Sequence, residues 1–98
     1  MSHAELRAKA ILTLTAANFD YQKPAHARAF SAMPAAIRLM LVEKMEAAFD
    51  AVGAAGFKVT WSIVTDEMAR ANSELPHNTS QEKRFLTMLM AADLTRKP

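Results

Sequence analysis

The sequence predicts an all-α fold: one small domain over residues 1–98, built as a bundle of about four to five helices. Three observations carry this expectation. Two glycines and four prolines in 98 residues leave few places for the chain to break. Alanine, leucine and methionine are abundant, and these residues lose little side-chain freedom in a helix. Apolar residues also recur three and four positions apart over long windows, the spacing of one helical face. A second independent core would leave each half near the size where folding alone becomes marginal, so one domain is expected. A chain this short buries only about 60 to 65% of the surface its unfolded form exposes. With 51% hydrophobic residues it is expected to associate, most simply as a homodimer.

The first helix is expected over 2–17. Ser2 caps it and Glu5 completes a capping box, while Leu6, Ala10, Leu14 and Ala17 form one face that Ile11 and Leu12 widen. Residues 18–23 read as a polar connection from which Phe19 and Tyr21 fold back onto the core. Pro24 suits the first turn of a short helix reaching Phe30. Pro34 suits the first turn of the next, with Ser31 or Met33 near its cap and a break near Ala32. The longest helix is expected over 35–55, with Ile37, Leu41, Met45, Ala48 and Val52 as its stripe and Leu39, Val42 and Phe49 extending it. Opposite them lie Glu43, Glu46 and Asp50, like charges that cost the helix a few tenths of a kcal/mol per pair. Such a strip reads first as a solvated face and second as a target for a basic partner.

Gly56 is expected to stop this helix in the left-handed conformation, with Phe57 packing back on its last turn. Val59, Trp61 and Ile63 alternate as a strand would, so residues 57–64 admit an extended reading. Over a longer window Trp61, Val64, Met68, Ala71 and Leu75 step by three and four, and a helix over 61–74 is preferred, capped by Thr60 and closed before Pro76. His77, Asn78 and Thr79 make a turn, and Thr79 with Glu82 forms a second capping box for a last helix reaching about residue 95. There Phe85, Met88, Leu89 and Ala92 form the main stripe, while Leu86, Met90 and Leu94 lie elsewhere on the circumference. A helix apolar nearly all round is either central in its own core or shared between subunits, and the shared arrangement is expected here.

Residues that would carry chemistry are sparse. The chain has no cysteine, which excludes disulfides, thiolate nucleophiles and cysteine-held zinc, and the cytoplasm is the expected compartment. The acidic Glu5 near the start and the short uncharged run over 10–19 argue against a signal peptide or a membrane span. His3, His26 and His77 sit in separate segments without a metal-ligand spacing. Gly53-Ala54-Ala55-Gly56 ends a helix and lacks the lysine of a phosphate loop, and Asn78-Thr79-Ser80 reads as capping sequence rather than as a glycosylation acceptor. No catalytic residue, cofactor or metal is expected. Met33, Met40, Met45, Met68, Met88 and Met90 are either gap fillers in the core or an adaptable contact surface. Trp61 reads as a core anchor.

The order of helix, glycine turn and threonine-capped helix over 47–60 resembles the approach to a helix-turn-helix. That resemblance covers under half the chain and departs from the motif at Leu75-Pro76-His77-Asn78, where a tight turn would stand. It implies that Ser80, Gln81, Lys83, Arg84 and Thr87 face the major groove. Against it, the net charge is only +2 and the last helix offers little polar circumference. The preferred expectation is a small cytoplasmic regulator, of antiactivator, inhibitor or adaptor type, that dimerises and binds another protein, such as a transcription regulator. Its contact surface is expected to comprise Met40, Leu86, Met88, Leu89, Met90 and Leu94. A DNA-binding helix-turn-helix regulator is the alternative.

Overall fold

Side-chain oxygens start three of the four α-helices in the computed structural model, which describes residues 2–22, 26, 28–61 and 65–97. Ser2 Oγ accepts the Glu5 amide at 3.2 Å and opens α1, His3–Tyr21. The serine hydroxyl in turn donates to Glu5 Oε1 at 3.1 Å, so the expected pair meets side chain to side chain. A single 3-10 turn, Phe30–Ala32, leads to Pro34 and α2, Ala35–Ala54. Thr65 Oγ1 accepts the Met68 amide and opens α3, Asp66–Ser73, and Ser80 Oγ accepts the Lys83 amide and opens α4, Gln81–Ala92. The described residues are helix, turn and extended chain without a strand, so the fold is all-α. None of their helices is long and apolar enough to cross a membrane.

Helix α1 runs beyond its expected end because its last turns are tied to the chain that returns. Asp20 Oδ1 accepts the Phe30 amide at 3.0 Å, and the Phe19 ring meets Phe30 edge-on at 6.0 Å. Tyr21, expected to fold inward, is left in solvent. Of the helix expected from Pro24 to Phe30, residues 24, 25 and 27 lie outside the described residues, while His26, Arg28 and Ala29 are not helical and Phe30 opens the 3-10 turn. The inward line of α1 is Leu6, Arg7, Ile11 and Thr15 with Ala10 packed beside it; of the expected face Leu6, Ala10 and Ile11 turn inward, while Leu12, Leu14 and Ala17 are exposed. A charged residue stands in that line, and hydrophobic spacing alone places it outside.

On α2 the deeply buried residue is Phe49, while Ile37, Leu41 and Met45 are half-buried and Ala48 and Val52 exposed. The helix ends as a Schellman motif: Gly56 has φ +93°, its amide donates to Gly53 O at 3.0 Å, and the Phe57 amide donates to Val52 O at 3.2 Å. The Phe57 side chain does not fold back and stays exposed. Gly53 answers a different need. A Cβ there would sit 2.8 Å from Thr95 Oγ1, so only a glycine admits this close approach.

The helix expected from residue 61 starts instead at Asp66, with Thr65 rather than Thr60 as its cap. Residues 57–61 are not helical, while Ile63 and Val64 lie outside the described residues. A tertiary pairing overrides the helical spacing. Leu94 donates its amide to Val59 O at 2.7 Å, and the Val59 amide donates to Asp93 Oδ1 at 3.3 Å. The same pairing ends α4 at Ala92 rather than near 95. The expected Thr79 cap is displaced by one residue, and the Thr79 hydroxyl donates to Pro76 O at 2.7 Å.

The helices pack as two pairs, α1 on α2 and α3 on α4. The core of Leu6, Ile11, Phe49 and Leu94 lies with the first pair, and Ala10, Val42, Met45, Val59 and Trp61 pack around it. Lys9 Nζ stands 5.3 Å from the Trp61 ring centre. The molecule measures 57 × 26 × 21 Å with a radius of gyration of 16.6 Å, against roughly 13 Å for a compact domain of this length.

Candidate protein-binding surface

Helix α3 is only eight residues long and contains no fully buried residue, so the α3–α4 pair has little core of its own. Met68, Ala71 and Leu75 are half-buried, as are Met88 and Leu89 on α4, and Ala92 is buried. The turn between the helices is held by a polar clamp. Arg84 Nη1 donates to Asn72 O and Oδ1 at 3.1 and 3.0 Å, and its Nη2 donates to Pro76 O and His77 O at 2.8 and 3.3 Å.

With one side of α4 turned to α3, the other side carries large apolar groups into solvent. Phe85 is 57% exposed, Leu86 50% and Met90 63%. At 3.6 residues per turn, Phe85, Leu89, Leu86 and Met90 fall within an arc of about 140°, a continuous strip along the helix. Glu82 lies within the same arc at its start and Lys83 beside it, both exposed. Phe85, read from sequence as part of the inward stripe, belongs to this outer strip, because α3 takes up the side that holds Arg84, Met88 and Ala92.

Of the six residues expected to form the contact surface, Leu86, Leu89 and Met90 come together here and Met88 turns toward α3. Met40 is exposed on α2, in the other helical pair. Leu94 is 2% exposed and sits in the core, where its backbone also holds the Val59 segment; it is not a surface residue of this chain. Of the residues expected to face DNA, Gln81 and Lys83 are exposed, Ser80 caps α4, Thr87 is half-buried and Arg84 is engaged in the interhelical clamp.

Two polar centres escaped the sequence reading. Arg7 is 4% exposed, donates from Nη1 to Leu94 O at 2.7 Å, and lies 3.3 Å from Asp50 and 3.8 Å from Glu46, with its guanidinium 5.8 Å from the Phe49 ring centre. Lys97 Nζ reaches Asp50 Oδ2 at 3.6 Å. The acidic strip of α2 is therefore met, at Glu46 and Asp50, by basic groups of its own chain. Asp93 is the second centre. Its Oδ1 accepts the Thr95 amide and hydroxyl at 3.0 and 2.8 Å as well as the Val59 amide. Burial pushes its carboxyl up, but these hydrogen bonds and the charge of Lys58 outweigh burial and hold it below its ordinary 3.8. The signal for both lay in isolated charged residues beside apolar ones, which periodicity does not rank.

Among the described residues no group of three or more histidines, cysteines or carboxylates is placed to hold a metal ion. Comparison with protein-family models, curated proteins and solved structures finds no match to this chain.

Proposed function

We propose that this chain is a small cytoplasmic regulatory protein that dimerises and binds another protein through the apolar strip of α4, acting by occlusion as an antiactivator, inhibitor or adaptor does. The observation that carries the reading is the exposure of Phe85, Leu86 and Met90 side by side on a helical pair with little core. Contiguous apolar surface of this kind marks contact sites, and helix-in-groove or helix-on-helix packing reads such spacing directly. Arg84 supports the reading from the other side, because its guanidinium braces the turn and presents α4 as a fixed rod.

The test is Met90→Asp, followed by sedimentation and by recovery of the tagged protein from a native extract with and without nuclease. Met90 is largely exposed, so the variant is expected to keep its circular dichroism and melting temperature while losing self-association and the co-purifying protein. A monomeric wild type whose protein partner is unaffected by Met90→Asp removes α4 from the contact.

A DNA-binding reading draws on Gln81 and Lys83, exposed in the first turn of α4. It loses Arg84, one of its two cations, to the interhelical clamp. Recovery of specific DNA that Lys83→Ala weakens, with a flatter salt dependence, would place this reading first.

A further inference from the structure

A cleft of about 330 Å³ opens between the second half of α1 and the middle of α2. This is the lower end of the range for small-molecule sites, and at ~30 Å³ per water it holds about eleven water-sized volumes. Phe19, Leu41 and Met45 give it apolar walls. Among the described residues Lys44 is its one charged lining residue, no acidic side chain lines it, and Lys44 has no ion-pair partner.

His26 lines the cleft and also a neighbouring one of about 320 Å³ formed with Arg28, Met33, Pro34 and Ile37. Its ring is stacked on Phe19 with centroids 3.9 Å apart and planes 13° from parallel. In this seat Nε2 is buried and has no hydrogen-bond partner among the described residues. An unmet buried nitrogen is costly to a fold, and nothing in the helical packing requires it. A ligand that parts the stack and meets Nε2 would remove that cost, and the adjoining cleft gives an apolar body room to extend.

We propose that this cleft is a binding site for a small amphipathic carboxylate, its apolar body lying along Phe19, Leu41 and Met45 and its carboxylate held by Lys44 with His26. Apolar walls select the body, Lys44 in this cleft and Arg28 in the adjoining one select an anionic head group, and the orphaned imidazole supplies the second polar contact. The proposal is independent of the α4 surface.

The experiment uses decanoate as the probe and 1-decanol as its uncharged counterpart, followed by calorimetry and by the methyl resonances of Met45 and Met90. Decanoate is expected to bind saturably, one per chain, shifting Met45 and leaving Met90 in place. Lys44 is exposed, so Lys44→Gln is expected to weaken decanoate by up to about fivefold, the upper scale of an exposed charge pair, and to leave decanol unchanged. His26→Phe keeps a ring against Phe19 but has no nitrogen, so it should raise the melting temperature of the free protein while weakening decanoate. A merely structural histidine would not move those two readings in opposite directions. Equal affinity for the two probes, indifference to Lys44→Gln, a response confined to Met90, or no saturable binding would each overturn the proposal.

Discussion

The two helical pairs each depend on an arginine, and they use it differently. In the α1–α2 pair Arg7 is buried beside Phe49, and its contacts to Leu94 O and Asp50 fasten the 93–97 segment onto a real core. In the α3–α4 pair Arg84 is half-buried and holds a turn through carbonyl oxygens and Asn72, while the apolar residues around it point largely outward. A guanidinium inside a core adds to burial that already exists. One at a turn substitutes for burial that the short α3 cannot provide. The first pair, completed by Leu94, Val59 and Trp61, holds the core, and the second has the composition of half an interface.

The largest expected effect follows from removing the buried clamp. Arg7→Met leaves Leu94 O without its charged donor, and the variant should lose about 2 kcal/mol in urea unfolding. The amides of Val59 and Leu94 should exchange faster with it, because the 93–97 segment loses its anchor. Arg84→Met should cost about 1 kcal/mol, since water can reach most of the acceptors it leaves. Its effect should show mainly as faster exchange within residues 72–84, a local opening rather than a global one. Equal losses for the two variants would erase the distinction between core and brace.

The smallest effect concerns acid. Asp93 is held below its ordinary value of 3.8 in the folded chain, so its contribution is fully present above that value and is lost as pH falls through the lowered one. Stability of the wild type should therefore decline more steeply than that of Asp93→Asn as pH drops below about 4, as followed by circular dichroism across a pH series. Parallel curves would remove Asp93 from the link between the pairs.

Much of the helical order was legible because its signals are local. Ser2 caps α1, Gly56 ends α2 in the left-handed conformation, and α4 begins within a residue of its expected start. These follow from hydrogen-bond geometry within a few residues. The outer strip on α4 was legible in part: two sets of apolar residues on one helix announced that one set would lack cover. Which set it was could not be read, because Phe85 and Leu86 are equally apolar and only the position of α3 distinguishes them.

Composition and spacing by themselves determined that the chain is helical, where three of its helices begin or end, and that it carries more apolar surface than its core can hide. Tertiary structure alone decided the rest. The pairing of Val59 with Leu94 and Asp93 kept residues 57–61 out of a helix, drew Leu94 from an expected surface into the core, and made Gly53 a point of contact with Thr95. Arg7 became an interior residue for the same reason. Its charge is met by Asp50 and Leu94 O, groups 43 and 87 residues away in the chain, and no local pattern can register partners at that separation.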